Sequence, residues 1–81
     1  MLNPDQVRAA ARTTVTEMTG KKVSDSDFLI SSGLIDSLSL LKLIGKLEKK
    51  LSVTIPPDDL QPDDFETIDI MTESVLRVAR P

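Results

Sequence analysis

The sequence predicts an all-α protein, a small four-helix bundle with three main helices, one short helix and a long loop between helices 1 and 2. Apolar residues make up 40% of the chain, and in three segments they recur at the spacing of a helix face. The one segment that alternates like a strand has no second strand to pair with. Because the chain has no cysteine, helix packing must hold it together rather than disulfides or thiolate metal sites. Its length predicts one domain over residues 1–81.

The first helix is predicted over residues 4–18. Asn3 can cap it, Pro4 suits the first helical position, and Gln6 can reach back to complete a capping box. Gly20 is suited to ending it. The apolar residues at helical spacing, which should face the core, are Val7, Ala10, Ala11, Val15 and Met18.

The second helix is predicted over residues 37–51, after a loop over residues 20–36. A loop of this length in so small a domain is commonly functional. We expect its apolar residues to pack back onto the bundle, namely Phe28, Leu29, Ile30, Leu34 and Ile35. In the helix, one arc of about 100° should face the core, and it contains Leu40, Leu43, Ile44, Leu47 and Leu51.

The last helix follows an irregular segment. Leu51-Ser52-Val53-Thr54-Ile55 should form a packed extended connector, and Pro56-Pro57-Asp58-Asp59-Leu60 should open at most one short helical turn. Phe65 is expected in the core, and Thr67 is expected to cap the helix. Arg77 and Arg80 are expected near the C-terminal end, where a cation suits the helix dipole. The inner face should comprise Ile68, Met71, Val75, Val78 and Ala79.

The composition argues against several classes of function. A net charge of −3 and a pI of about 4.7 disfavour nucleic-acid binding, including by a small helix-turn-helix protein, because such domains usually carry a basic surplus. No apolar run approaches the roughly 18 residues that span a membrane, so we expect no membrane partner and a cytoplasmic location. We also expect a monomer. Without histidine or cysteine, we expect no metal site and no catalytic residue, and the chain is predicted not to be an enzyme.

The outer face of the second helix is unusual. Leu38 lies outside the core arc and Leu41 at its edge, so both should be exposed. Single exposed leucines are common, but two of them beside the accessible hydroxyl of Ser37 suggest a docking surface. The opposite arc carries Lys42, Lys46, Lys49 and Lys50. Such a run is usually a solvated face, but residues 52–76 carry seven acids and no base, so an acidic partner could be steered to this helix.

The helix opens with Asp36-Ser37-Leu38. Asp and Ser are good N-cap residues, so the simplest interpretation is that the pair only begins the helix. The alternative is that Ser37 is a modification site. In the first turn, backbone N–H groups lack intrahelical partners and the helix dipole favours negative charge. A phosphate ester on Ser37 would therefore lie in a favourable field.

These segments together resemble acyl carrier and peptidyl carrier proteins over nearly the whole chain. The resemblance rests on Ser32-Gly33-Leu34-Ile35-Asp36-Ser37-Leu38, Val53-Thr54-Ile55-Pro56 and Phe65-Glu66-Thr67-Ile68. It implies an acyl-carrier-type bundle that carries an acyl or aminoacyl group as a thioester on a 4′-phosphopantetheine arm, covalently attached and derived from coenzyme A.

The resemblance also implies roles for single residues. Ser37 would be the attachment point, Asp36 part of the site that the transferase recognises, and Leu38 a partner contact; we expect Leu41, Lys42 and Lys46 on the same partner surface. The implied partners are a phosphopantetheinyl transferase, a ligase or synthase that loads the cargo, and downstream transferases.

The lysines depart from the family pattern, because carriers of bacterial fatty acid synthesis are typically acidic along the second helix. This departure favours a specialised, free-standing carrier. The loop that ends at Asp36-Ser37 is also similar to that of small carriers loaded by an adenylating ligase, including D-alanyl carriers. Fatty acyl, polyketide and aminoacyl cargo remain open. The alternative function is a carrier-like docking module that is never modified.

Overall fold

The computed structural model describes residues 2–81, apart from the side chain of Asp59. Its helices are α1 (Pro4–Thr19), α2 (Ser37–Leu51) and α3 (Ile68–Val78). Two 3-10 turns, Pro57–Asp59 and Pro62–Phe65, lie between α2 and α3. The predicted all-α class with three main helices is confirmed, and the short fourth helix is a 3-10 turn. No helix in residues 2–81 combines the length and the apolar character needed to cross a membrane.

The ends of α1 lie where local capping places them. The Asn3 side chain accepts a hydrogen bond from the Gln6 N–H (2.8 Å), and the Gln6 side chain accepts one from the Asn3 N–H (3.1 Å). At the other end Gly20 adopts φ 72°, a left-handed conformation that glycine takes without steric cost. Its N–H donates to the Thr16 carbonyl at 2.8 Å. The predicted capping box and glycine stop are confirmed, and the helix extends one residue further than expected.

The core lies between the three helices, and α1 packs against both α2 and α3. Each helix contributes three buried apolar residues: Val7, Ala11 and Val15 from α1, Leu40, Leu43 and Leu47 from α2, and Ile68, Met71 and Val75 from α3. The irregular segments add Leu29, Ile35, Ile55 and Phe65. Each fully buried aliphatic side chain contributes about 1.5–3 kcal/mol. The predicted apolar stripes are therefore the ones that fold against each other.

Two core expectations need correction. Phe28 does not join the loop's apolar cluster, because its side chain is 64% exposed while its neighbour Leu29 is fully buried. Consecutive residues of a loop turn point in different directions, and only one of the two can face the bundle. Thr14 was not expected in the core but is fully buried in α1. Its hydroxyl donates to the Ala10 carbonyl at 2.7 Å, which removes the cost of burying it.

The extended connector forms one backbone bridge with the end of the chain. Thr54 and Arg80 form an isolated antiparallel bridge, with N–O distances of 2.7 and 2.9 Å. The expectation of no second strand is confirmed for the described residues, because this bridge joins single residues and forms no strand. The bridge itself was not predicted, because two residues leave no alternating pattern to read. Arg80 consequently lies outside α3, which ends at Val78 with Ala79 in an extended conformation.

An ion-pair cluster joins α1, the long loop and α3. Arg8 pairs with Asp25 (3.2 Å) and with Asp69, and the Arg12 Nε donates to Asp25 at 2.7 Å. The Asp69 N–H donates to the Asp25 carbonyl at 3.1 Å. The hydrogen bond from Arg12 is the main reason that the pKa of Asp25 is lowered. The cluster holds the first part of the loop against two helices.

Candidate functional site

Ser37 is the first residue of α2, and its side chain is exposed. Asp36 is the N-cap: its Oδ1 accepts a hydrogen bond from the Ser39 N–H (2.8 Å), and its carbonyl accepts one from the Leu40 N–H (2.8 Å). Within the described residues, the Ser37 hydroxyl has no hydrogen-bond partner. The helix thus begins at Asp36 without using the Ser37 side chain, so that hydroxyl is available to another molecule.

The Asp36 carboxylate is stabilised in its charged form. Its pKa is lowered, chiefly by the hydrogen bond from the Ser39 backbone N–H and next by the Ser39 hydroxyl. A charged cap at the N-terminus of α2 also suits the helix dipole. The site therefore combines a fixed negative charge with an adjacent exposed hydroxyl.

The loop that leads to Asp36 is held in a tight turn. Gly33 adopts φ 82°, which favours glycine, and its N–H donates to the Ile30 carbonyl at 3.0 Å. The Ile35 N–H donates to the Leu29 carbonyl at 2.9 Å, and both of these side chains are buried. These contacts fix the direction in which the chain enters α2.

Glu66, just before α3, holds the same loop from the other side. The Leu29 N–H donates to the Glu66 carbonyl at 2.7 Å. The Ser31 N–H lies 3.0 and 3.1 Å from the two Glu66 carboxylate oxygens, and the Ser31 hydroxyl also donates to this carboxylate. The Ser31 hydroxyl is the main reason that the pKa of Glu66 is lowered. Sequence analysis did not identify this contact, because nothing in the sequence pairs residues this far apart.

The outer face of α2 presents apolar and basic side chains together. Leu38 is 74% and Leu41 65% exposed, as expected from their positions on the helix. Lys42 and Lys46 are exposed, and neither forms an ion pair with any described side chain. Lys50 differs, since it pairs with Glu17 of α1 at 2.9 Å.

Two further apolar side chains are exposed, and the sequence did not predict the exposure of either. Phe28 lies in the loop that leads to Ser37, and Ile70, 40% exposed, lies in the first turn of α3. The backbone bond between Leu29 and Glu66 brings the two segments together. The large exposed apolar side chains among the described residues are thus carried by α2, this loop and the start of α3.

Comparison with known proteins decides the family. The family model described as "Phosphopantetheine attachment site" matches residues 5–73. The chain belongs to this carrier family. Among curated proteins, the D-alanyl carrier proteins of two strains of Lactobacillus delbrueckii subsp. bulgaricus are each 27% identical to it over 66 residues, which cover 79% of this chain and 82% of each relative.

Members of this carrier family hold a covalently attached phosphopantetheine and are not enzymes. The group supplies a thiol on which cargo is held as a thioester. The arrangement around Ser37 agrees with a carrier role, because Asp36 accepts a hydrogen bond from Ser39 and no described side chain accepts the Ser37 proton. The site can present a hydroxyl, and no side chain that the structure describes is positioned as a general base to activate it.

Proposed function

We propose that the protein carries an acyl or aminoacyl group on a 4′-phosphopantetheine arm attached to Ser37 and presents it to separate enzymes. The observation that carries the proposal is the exposed hydroxyl of Ser37 at the first position of α2, which no described residue bonds, in a chain of the phosphopantetheine-attachment family. Transfer would join the Ser37 oxygen to the phosphorus of the arm, while the nucleotide half of coenzyme A leaves and the transferase takes the serine proton.

The neighbouring serines support this choice. The Ser31 hydroxyl donates to Glu66, and the Ser32 hydroxyl donates to the Phe28 carbonyl at 2.6 Å. Modification of either residue would break a bond that shapes the loop. Modification of Ser37 breaks no described hydrogen bond, and the helix N-terminus favours the negative charge of a phosphate ester.

Asp36 has two parts in the proposal. As the N-cap it orients the first turn of α2, and as an exposed carboxylate beside Ser37 it gives the transferase a fixed charge to recognise. Leu38, Leu41, Lys42 and Lys46 form the proposed partner surface. Their exposure supports this role, because two large apolar side chains beside basic ones can bury apolar area in a partner while the charges orient it.

Within the carrier role, we propose that the cargo is an aminoacyl group. The curated relatives are named D-alanyl carrier proteins, and the basic outer face of α2 departs from the acidic helix typical of fatty acid carriers. Both observations favour loading by a ligase that activates an amino acid as its adenylate. We therefore propose such a ligase as the loading partner.

The test is the intact-protein mass after incubation with coenzyme A, magnesium and a broad-specificity phosphopantetheinyl transferase. We expect the wild type to gain one phosphopantetheine group and Ser37→Ala to gain none. Ser39→Ala is the matched control, because it removes a hydroxyl two residues away and should still gain the group. A folded wild type that gains nothing, or a Ser37→Ala variant that still gains it, would refute the proposed attachment and favour an unmodified docking module or another serine.

A further inference from the structure

We propose that Glu66 is a positioning residue for the attachment reaction, because it holds the loop in the conformation that presents Ser37. The inference rests on the proposed function, since it concerns the same serine. Glu66 lies 29 positions after Ser37 in the sequence and belongs to the segment that leads into α3. It would act without touching the reacting atoms.

Glu66 contacts the loop through two independent groups. Its carboxylate accepts from the Ser31 N–H at 3.0 and 3.1 Å and from the Ser31 hydroxyl, and its backbone carbonyl accepts from the Leu29 N–H at 2.7 Å. Hydrogen bonds to a charged acceptor are stronger than neutral ones. The loop is thus fixed at two positions by one residue, and only one of these contacts depends on the Glu66 side chain.

These contacts continue to the site through the backbone. The Leu29 carbonyl accepts from the Ile35 N–H at 2.9 Å, and Ile35, whose side chain is 1% exposed, directly precedes Asp36. Asp36 in turn caps α2 through the Ser39 N–H. A continuous path of hydrogen bonds and covalent neighbours therefore leads from the Glu66 carbonyl to the residue that orients Ser37. The Glu66 carboxylate supports this path by holding Ser31, two residues after Leu29 in the same loop.

Loss of the Glu66 carboxylate should lower the fraction of protein whose loop is in the conformation that the transferase binds. Without the carboxylate, Ser31 loses its acceptor and the loop samples other conformations. A partner that binds only the competent conformation then binds with an apparent affinity reduced by the populated fraction. The transferase should show a higher KM for the carrier with an unchanged kcat, because Ser37 itself and its cap are intact in the bound state.

The experiment compares Glu66→Ala with Glu73→Ala, a matched change at an exposed glutamate of α3. Transferase kinetics are measured with each variant as the substrate, and folding is checked by urea denaturation. We expect Glu66→Ala to raise KM by about five- to tenfold, which corresponds to the loss of about one hydrogen bond to a charged group. Glu73→Ala should match the wild type.

A double-mutant cycle tests whether the effect on KM arises from the contact between Ser31 and Glu66. Ser31→Ala removes the hydroxyl that donates to Glu66, so its effect on KM should shrink when Glu66 is already alanine. Equal KM values for Glu66→Ala and the wild type, or strictly additive effects of the two substitutions, would overturn the inference.

Amide hydrogen exchange separates this inference from the proposed function. In Glu66→Ala the amides of Ser31 and Ile35 should exchange faster, while that of Ile70, at the start of α3, should not change. This measurement needs no transferase. If the wild type is not loaded at all, the attachment proposal fails while the exchange data still decide whether Glu66 holds the loop; unchanged exchange at Ser31 would refute the holding role by itself.

Discussion

Helices α2 and α3 begin with the same type of N-cap, but the start of α2 is exposed and the start of α3 is buried. Asp36 caps α2 by accepting from the Ser39 N–H at 2.8 Å, and Thr67 caps α3 by accepting from the Ile70 N–H at 3.0 Å. Thr67 is 6% exposed and the next residue, Ile68, is fully buried. Asp36 and the residue after it, Ser37, are both exposed.

This comparison separates capping, which the two helices share, from the exposure of the first helical residue, which they do not share. The capping geometry is equivalent at the two helices, so a good N-cap residue does not by itself indicate function. What differs is the first helical residue: Ile68 of α3 is buried in the core, whereas Ser37 of α2 exposes a hydroxyl that has no hydrogen-bond partner among the described residues. The interpretation of Asp36 as a cap and the interpretation of Ser37 as an attachment point are therefore compatible.

The largest expected effect is a difference in the free energy of unfolding between variants at the first residues of α3 and α2. Ile68→Ala should lower the free energy of unfolding by about 2–5 kcal/mol, because it leaves a cavity in the core. Ser37→Ala should change it by about 1 kcal/mol or less. Urea denaturation followed by circular dichroism measures both. A loss at Ser37 as large as that at Ile68 would mean that the serine side chain is structural and would remove the contrast.

The two caps should differ in their response to acid. The pKa of Asp36 is lowered in the folded protein, so its contribution is present above the unfolded pKa and is lost as the pH falls through the folded value, below about pH 4. The destabilisation caused by Asp36→Ala should therefore shrink between pH 7 and pH 3. That of Thr67→Ala, about 0.5–2 kcal/mol, should not change with pH. Unfolding curves at each pH test this, and parallel behaviour of the two variants would contradict it.

The smallest stability effect is expected on the outer face of α2. Lys42→Glu combined with Lys46→Glu should change the free energy of unfolding by less than about 0.5 kcal/mol, because neither side chain has a described ion-pair partner. It should slow loading by the amino-acid-activating ligase proposed above, and the difference from the wild type should narrow as salt is added.

The matched control for this prediction is Lys21→Glu combined with Lys22→Glu. These two lysines are also exposed but lie in the loop directly after α1 rather than on α2. The control has the same net charge as the α2 variant, so a general effect of charge would slow both equally. Equal loading rates for the two variants would contradict a basic docking surface on α2.

Sequence reasoning was most successful where the deciding contacts join residues that are close in the sequence. The starts of all three helices depend on a side chain that bonds to a backbone group three residues away, as in Asn3 with Gln6 and Thr67 with Ile70. The exposure of Leu38 and Leu41 followed from their angle on the helix. Phe28 could not be assigned in this way, because a loop has no repeating angle from which a direction can be inferred.

The sequence by itself determined the helix starts, the core face of each helix and the place of Ser37 at the first turn of α2, because contacts within four residues and the periodicity of a helix fix them. Only the tertiary structure decided what holds the loop that precedes Ser37. Ser31 and Glu66 are 35 residues apart, and Arg8 and Asp69 are 61 apart. Such pairs meet only when helix packing brings distant segments together, and no local pattern encodes which polar side chains will then face each other.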